Sequence, residues 1–269
     1  MARSRIRTAQ YRIPLTECGF PPAKPFRAAV LADMHNEVYG SSPAELVEAV
    51  REQEVSLVLS VGDLVVAHRN GYSGYGTDAA LEVMKGVSAI APVYGVNGNH
   101  EVRMSAIREE QYSVYDEALR SMGVRILRNE RVKLEMNGAR IALTGLELER
   151  YFFRRSLRKC PLSPEHIREL IKEPEKDWFN LLLAHHPKYF PEYAAWGADL
   201  VLSGHLHGGI MRLPLIGGVV SPDPGLFPRY DRGMFEEHGS RLVVSAGLGT
   251  HTVNLRINNP AELVVLSFE

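Results

Sequence analysis

The stretch Val55-Ser56-Leu57-Val58-Leu59-Ser60-Val61-Gly62-Asp63 decides the fold. Val55, Leu57, Val58, Leu59 and Val61 leave it no polar face, the pattern of a strand buried on both sides of a sheet. The run then stops at a glycine and a carboxylate. Open α/β sheets meet their ligands at the carboxyl edge, so Asp63 lies where chemistry is expected. Four other apolar runs end in the same manner. Ala28 to Leu31 leads into Asp33-Met34-His35, and Val93 to Val96 into Gly98-Asn99-His100-Glu101. Leu181 to Ala184 leads into His185-His186, and Leu200 to Leu202 into Gly204-His205-Leu206-His207. If these strands share one edge, their aspartates, histidines and asparagine converge there, with Asp63 among them.

A chain of 269 residues, 45% hydrophobic and 23% charged, can bury a large core, and we expect a single domain over residues 1–269. A net charge of -1 and a pI near 6.8 give no electrostatic reason to expect nucleic acid or an anionic membrane as partner. Cys18 and Cys160 are too few for a disulfide framework and match no metal-binding spacing, so a reducing compartment is the simpler reading. The basic N-terminus, Met1 to Arg12, is followed by Pro, Glu, Cys and Lys where a signal peptide needs a continuous apolar core. Residues 1–25 are read as an irregular arm. No apolar run approaches the roughly 20 residues of a membrane span. A soluble, cytoplasmic protein is expected.

Ser42-Pro43 followed by Ala44, Leu46, Val47 and Val50 reads as a capped amphipathic helix, which makes a βαβ crossover to the strand ending at Asp63. The Gly- and Tyr-rich loop His68 to Asp78 suits either a substrate-side flap or a plain surface connection. Helices are expected over Ala79 to Ile90, over Arg108 to Met122, and from Pro164 with Ser163 as cap. Arg131 to Glu135 and Arg140 to Leu146, joined through Asn137-Gly138, read as a hairpin that opens a second sheet. The segment Leu148 to Lys176 carries Tyr151, Phe152, Phe153, Arg154, Arg155, Arg158 and Lys159. It could hold a phosphate, acyl or nucleobase moiety. A cover for the core, with its arginines in solvent, is the preferred reading. A Gly- and Pro-rich loop, Leu213 to Arg232, precedes a second hairpin around His238-Gly239 and a last strand from Glu262 to Phe268. The expected architecture is α/β: two mixed β-sheets packed as a sandwich with flanking helices.

Of ten histidines, six (His35, His100, His185, His186, His205 and His207) fall at strand ends. The i, i+2 spacing of Asp33/His35 and of His205/His207 puts each pair on one side of an extended segment. Imidazole mixed with carboxylate and amide oxygen, without thiolate, suits Mn, Fe or Zn better than Ca or Mg, and we favour Mn. Asp33, His35, Asp63, Asn99, His185, His205 and His207 are too many for one tetrahedral ion. They suit two divalent ions about 3.5–4 Å apart that share a carboxylate, the arrangement for phosphoryl displacement by water. His100 is then left near the site but outside the ligand set.

Through Asp33-Met34-His35, Gly62-Asp63, Gly98-Asn99-His100-Glu101, His185 and Gly204-His205-Leu206-His207, the sequence resembles the calcineurin-like metallophosphoesterases, over residues 28–209 in order. The resemblance implies the four-layer fold of that superfamily. It implies one metal held by Asp33, His35, Asp63 and His207, a second by Asp63, Asn99, His185 and His205, and His100 near the scissile phosphate. Leu206 stands where the family commonly has Thr. The C-terminal stretches Gly208 to Pro214 and Val244 to Thr250 look like the bacterial phosphodiesterase branch that includes relatives of UDP-diacylglucosamine pyrophosphohydrolase.

The expected function is a phosphodiesterase or pyrophosphohydrolase acting on a small-molecule phosphoester. Its nucleophile would be a metal-bridging hydroxide, and His100 would serve as acid or charge stabiliser. Two alternatives are a phosphomonoesterase or protein phosphatase, and a catalytically weak scaffold on the same fold. A Ser/Thr-type phosphatase should continue Gly62-Asp63 with Asp-Arg-Gly, yet Val65-Val66-Ala67-His68 stands there. A metallo-β-lactamase-like enzyme should follow its His-x-His with an Asp-His pair, and here Gly208-Gly209 follows. His68, Tyr72, Arg154, Arg155, Arg229, Arg232, His251 and Arg256 are further candidates to touch substrate, each with a solvated or structural role as the preferred reading.

Overall fold

The computed structural model describes residues 6–16, 24–38, 42–67, 76–153, 160–209, 211–213, 216–220, 226–250 and 256–269. Two six-stranded sheets form its centre. The first runs in the order β1 (Arg7–Ile13), β14 (Glu262–Phe268), β2 (Phe26–Leu31), β3 (Leu57–Ser60), β4 (Val93–Gly95), β5 (Arg125–Ile126). Its one antiparallel pair is β14 with β2. The second runs in the order β12 (Gly233–Glu237), β13 (Ser240–Val244), β9 (Leu200–Ser203), β8 (Phe179–Ala184), β7 (Ala139–Leu146), β6 (Arg131–Met136). Here the four central strands are parallel, and a hairpin closes each edge. A short ribbon, β10 (Arg212–Leu213) with β11 (Gly217–Gly218), lies apart from both sheets.

The expected sandwich with flanking helices is what the chain forms. Between the sheets, Ala28, Val30, Leu57, Leu59, Leu266 and Phe268 from one meet Ile141, Leu143, Phe179, Leu181, Leu200 and Leu202 from the other. The alternate residues Ala29, Leu31, Val58 and Val265 turn outward. They are covered by α1 (Ala44–Arg51), α2 (Asp78–Ser88), α3 (Asn99–Ile107) and α4 (Glu109–Ser121). Leu182, Val201 and Val244 do the same on the second sheet, under α5 (Pro164–Ile171) and α6 (Phe190–Trp196). Strands covered on both faces have no polar face to show, which is why their sequences are unbroken apolar runs. Among the described residues, no helix is long and apolar enough to cross a membrane.

Two expectations need correction. The arm 1–25 is not irregular throughout, because Arg7–Ile13 pairs in parallel with β14. Ala9 and Ile13 turn into the inter-sheet core with Tyr11 packed against it, while Thr8, Gln10 and Arg12 face solvent. That is the period-2 pattern of an edge strand. The helix expected over Arg108 to Met122 forms as Glu109–Ser121, and a helix that was not expected, Asn99–Ile107, precedes it and ends at Arg108 (φ −147°, ψ 54°). The loop Leu213 to Arg232 opens with the β10–β11 ribbon. Residues 68–75 and 154–159 lie outside the described set.

Phe268 has no exposed surface, stacks on Phe26 at 4.7 Å between ring centroids, and meets Phe179 of the opposite sheet edge-on at 6.3 Å. Phe268→Ala should lower the unfolding free energy by about 3–5 kcal/mol. In urea, the midpoint should fall with the slope unchanged.

Candidate metal centre

The carboxyl ends of β2, β3, β4, β8 and β9 meet at one edge of the sandwich. They bring Asp33 and His35, Asp63, Asn99 and His100, His185, and His205 and His207, all buried. Leaving a strand abruptly while turning a side chain back over its end requires unusual backbone angles. Asp33 (φ 50°), His35 (φ 51°), Asp63 (φ 53°), His205 (φ 71°) and His207 (φ 50°) all lie in the left-handed region. Such conformations cost about 1–3 kcal/mol each, and they gather where a site over-determines them. The i, i+2 pairs therefore do not act from an extended segment, and one of them is divided. His207 joins Asp33 and His35, whereas His205 joins Asp63 and His185, each group with its ligand-type atoms within 4.8 Å of one another.

The distances are those of a centre built to share charge. His35 Nε2 and His207 Nε2 are 3.0 Å apart. His185 Nε2 is 3.1 Å from Asp63 Oδ2 and 3.9 Å from Asp33 Oδ1. Main-chain N–H groups hold the carboxylates in place: His205 donates to Asp33 Oδ1 and Oδ2 at 3.0 and 2.9 Å, and His100 to Asp63 Oδ1 at 2.8 Å. His100 opens α3, so the helix N-terminus faces Asp63 and favours its charge. Burial would push the Asp63 carboxyl up, yet His185, His100 and His35 outweigh it and hold it well below the usual range. Burial prevails at Asp33 and raises it, against the pull of His185. For His185, burial is overcome by the Asp63 and Asp33 charges, which raise it to about 9.

Hydrogen bonds to the main chain sort the imidazoles, because a carbonyl can only accept and an N–H can only donate. His185 Nδ1 donates to the Val61 carbonyl at 2.7 Å and His207 Nδ1 to the Gly249 carbonyl at 3.2 Å. In its neutral form, which a bound cation would favour over the charged one for His185, each ring turns a bare Nε2 to the cluster, as metal-ligating histidines do. His100 is reversed. Its Nδ1 accepts from the Ala67 N–H at 2.8 Å, so the proton of the neutral ring sits on Nε2, 4.0 Å from Asp63 Oδ2. Although His100 lies within ligand distance of His35 and Asp63, this tautomer makes it a donor to the site. The buried Asn99 Oδ1 has no hydrogen-bond partner, which fits an oxygen whose partner is a cation. The nitrogen and oxygen donors brought together here suit divalent metal binding.

A model of the calcineurin-like phosphoesterases matches residues 26–209. The chain belongs to that family. It is 26% identical to an uncharacterized metallophosphoesterase of Bacillus subtilis, YkoQ, over 91% of this chain and 84% of its relative. The same identity, over 91% of this chain and 82% of its relative, relates it to the Escherichia coli phosphodiesterase YaeI. Haemophilus influenzae NAD nucleotidase shares the fold, with a TM-score of 0.51 and 15% identity over 83% of this chain and 45% of that one.

In this phosphoesterase several supporting groups escape a reading of sequence alone. Glu101 takes the N–H groups of Asp63 (2.9 Å), Val65 (3.2 Å) and Gly98 (2.9 Å), tying the loop that carries Asp63 to the first turn of α3. Burial, with Asp63 nearby, raises Glu101 to about 7. Its signal was present in the sequence as an acid three residues after the helix cap. Arg256, a candidate to touch substrate, instead donates to the carbonyls of Ala246, Gly247 and Gly249, the last being the acceptor of His207. Phe153 lies against the rings of His185, His186 and His205 at 6.1, 5.6 and 5.8 Å. Gly204 leaves room for Asp33, whose Oδ2 would stand 2.6 Å from an added Cβ. Of the other candidates, Arg229 and Arg232 line a separate cleft, while His68, Tyr72, Arg154, Arg155 and His251 lie outside the described residues. Glu101→Ala strands three buried N–H groups, so a urea titration should show a loss of about 3 kcal/mol or more, with a parallel loss of divalent-cation affinity.

Proposed function

We propose that the chain is a dinuclear-metal phosphodiesterase or pyrophosphohydrolase acting on a small-molecule phosphoester. The observation that carries this is the gathering of buried donors at one edge, with Asp33, His35 and His207 in one group, Asp63, His185 and His205 in another, and Asn99 buried beside them. Asp33, His35, Asp63 and His207 would hold one ion, and Asp63, Asn99, His185 and His205 the other. Divalent cations supply Lewis acidity there, activating water and neutralising phosphoryl charge. The nitrogen and oxygen donor set suits Mn, Fe or Zn. Preference for diesters is supported by the likeness to YaeI, a phosphodiesterase by name.

The chain's own groups do the rest. Asp63 is held by the His100 N–H and faces the Nε2 atoms of both His185 and His100. His100, its Nδ1 fixed by Ala67, holds a proton at Nε2 towards the site. It either stabilises phosphoryl charge or delivers that proton to the departing oxygen. Phe153 walls the histidines on one side and limits water there.

Elemental analysis of purified or Mn-reconstituted protein should find close to two ions per chain, and Asp63→Asn should lower both. At most a trace of metal in active protein would remove the reading. Reconstituted protein should cleave bis-p-nitrophenyl phosphate faster than p-nitrophenyl phosphate, and the reverse order would favour a monoesterase.

His100→Asn should keep its metal content. On an alkyl leaving group it should lose about 10²–10⁴ in rate if His100 delivers the proton, and much less on p-nitrophenolate, which departs without one. Equal losses on both would assign His100 to charge stabilisation. Near wild-type rates on both would leave it a packing role only.

A further inference from the structure

Away from the metal-type centre, Arg212, Leu213, Ile216 and Gly217, the 228–232 segment and Asn258 line a cleft of about 570 Å³. Small-ligand pockets span about 300–1,000 Å³. Its lining combines the basic Arg212, Arg229 and Arg232 with the apolar Leu213, Ile216 and Pro228, together with Asp231 and Asn258. Ile216 is 61% exposed and Leu213 39%, large values for aliphatic side chains that belong to no core.

The carboxylates around the cleft are already engaged. Asp231 Oδ2 takes Arg212 Nη1 at 2.7 Å and the Gly218 N–H at 2.6 Å, and Oδ1 takes the Arg232 N–H at 2.7 Å. Glu237 Oε1 takes the Tyr230 hydroxyl and the Arg229 guanidinium, each at 2.5 Å. Glu262 accepts from the Ala246 N–H at 3.2 Å, and its other oxygen stays 3.9 Å from Arg232 Nε. Glu262 thus balances Arg232 by charge but at a distance beyond hydrogen bonding. Arg232 Nη1 is buried with no hydrogen-bond partner, and burial, Arg212 and Arg7 disfavour the charge that Glu262 supports. A guanidinium in that position is completed by an anion, and its planar fork matches phosphate oxygens.

We propose that this cleft is a second ligand site, distinct from the metal-type centre, which takes an organic phosphate. The phosphate lies on Arg232 and Arg212, and the organic part lies on Leu213, Ile216 and Pro228. The site is tied to the catalytic edge. Arg212 Nη1 also donates to the Gly208 carbonyl at 2.6 Å, and Asn259, next to cleft-lining Asn258, donates to the carbonyls of His207 and Gly209.

The test is calorimetric titration of Mn-loaded protein with octylphosphonate and methylphosphonate, neither of which has an ester bond to cleave. Octylphosphonate should bind in two events per chain. Arg232→Gln should weaken one of them about 10- to 100-fold, the loss of a charge-assisted hydrogen bond, with an unchanged melting temperature. That event should persist in Asp63→Asn, so it stands or falls independently of the function proposed above. Ile216→Ser should weaken octylphosphonate about fivefold at this site and leave methylphosphonate unaffected. Three results would overturn the proposal. One is a single event that Asp63→Asn abolishes and Arg232→Gln does not touch. Another is octyl glucoside binding as tightly as octylphosphonate. The third is co-sedimentation with phosphatidylglycerol vesicles without binding of either soluble phosphonate, which would make the patch a membrane contact.

Discussion

The constraint on which the structure depends is the burial of two neighbouring carboxylates, Asp33 and Asp63, at 0% and 1% exposure. Charge taken out of water is tolerated only when it is paired and hydrogen-bonded. Every feature of the edge answers that need: main-chain N–H groups from His205 and His100, the facing imidazoles, and the N-terminus of α3. The opposite directions in which Asp33 and Asp63 are moved show how uneven the compensation is. Asp63 has three imidazoles acting on it and is well supplied. Asp33 draws on His185 and His35 but gives way to burial, so it has more to gain from a cation than from the protein's own charges.

The same logic separates histidines that look alike in sequence. His100 and His185 both follow an apolar strand beside a small or polar residue, and nothing local distinguishes the orientation of one ring from that of the other. The difference is made by which main-chain group meets Nδ1: a carbonyl of the β3 exit for His185, and an N–H of the loop beyond Asp63 for His100. Both partners are distant in sequence and become neighbours only when β3, β4 and β8 are set side by side.

What could be read from sequence was what is periodic or punctuated. The β3 run, the Asn137-Gly138 turn with φ values of 50° and 92°, and the Ser163 cap, whose hydroxyl accepts from the His166 N–H, all carry local signals and were placed correctly. The arm was misread even though its alternation was visible, since a lone edge strand next to prolines has no neighbour in sequence to confirm it. The start of α4 at Arg108 was read correctly, whereas α3, which opens directly from the Gly98-Asn99-His100-Glu101 motif, was not. Arginines were the least legible. Arg256 is consumed by carbonyls of the loop behind His207, whereas Arg232 has a donor left over, and in sequence the two are alike, each a candidate to touch substrate with a solvated or structural role preferred.

Because the donors come from both sheets, the centre depends on the packing between them. Asp33, His35, Asp63 and Asn99 leave the first sheet, and His185, His205 and His207 the second. Hydrogen bonds cross directly, among them His185 to the Val61 carbonyl and the His205 N–H to Asp33, which both end on residues in or adjoining the inter-sheet core. A shift of one sheet against the other would part carboxylates from imidazoles and leave both sets buried and uncompensated. Close-packed cores resist such shifts because their side chains interdigitate and few voids remain to be filled. The large apolar layer of Phe26, Phe179, Phe268 and their neighbours is thus what makes a centre split across two sheets rigid enough to hold its donors at hydrogen-bond distances. Sheet packing, rather than any single loop, fixes the distance between the two halves of the site.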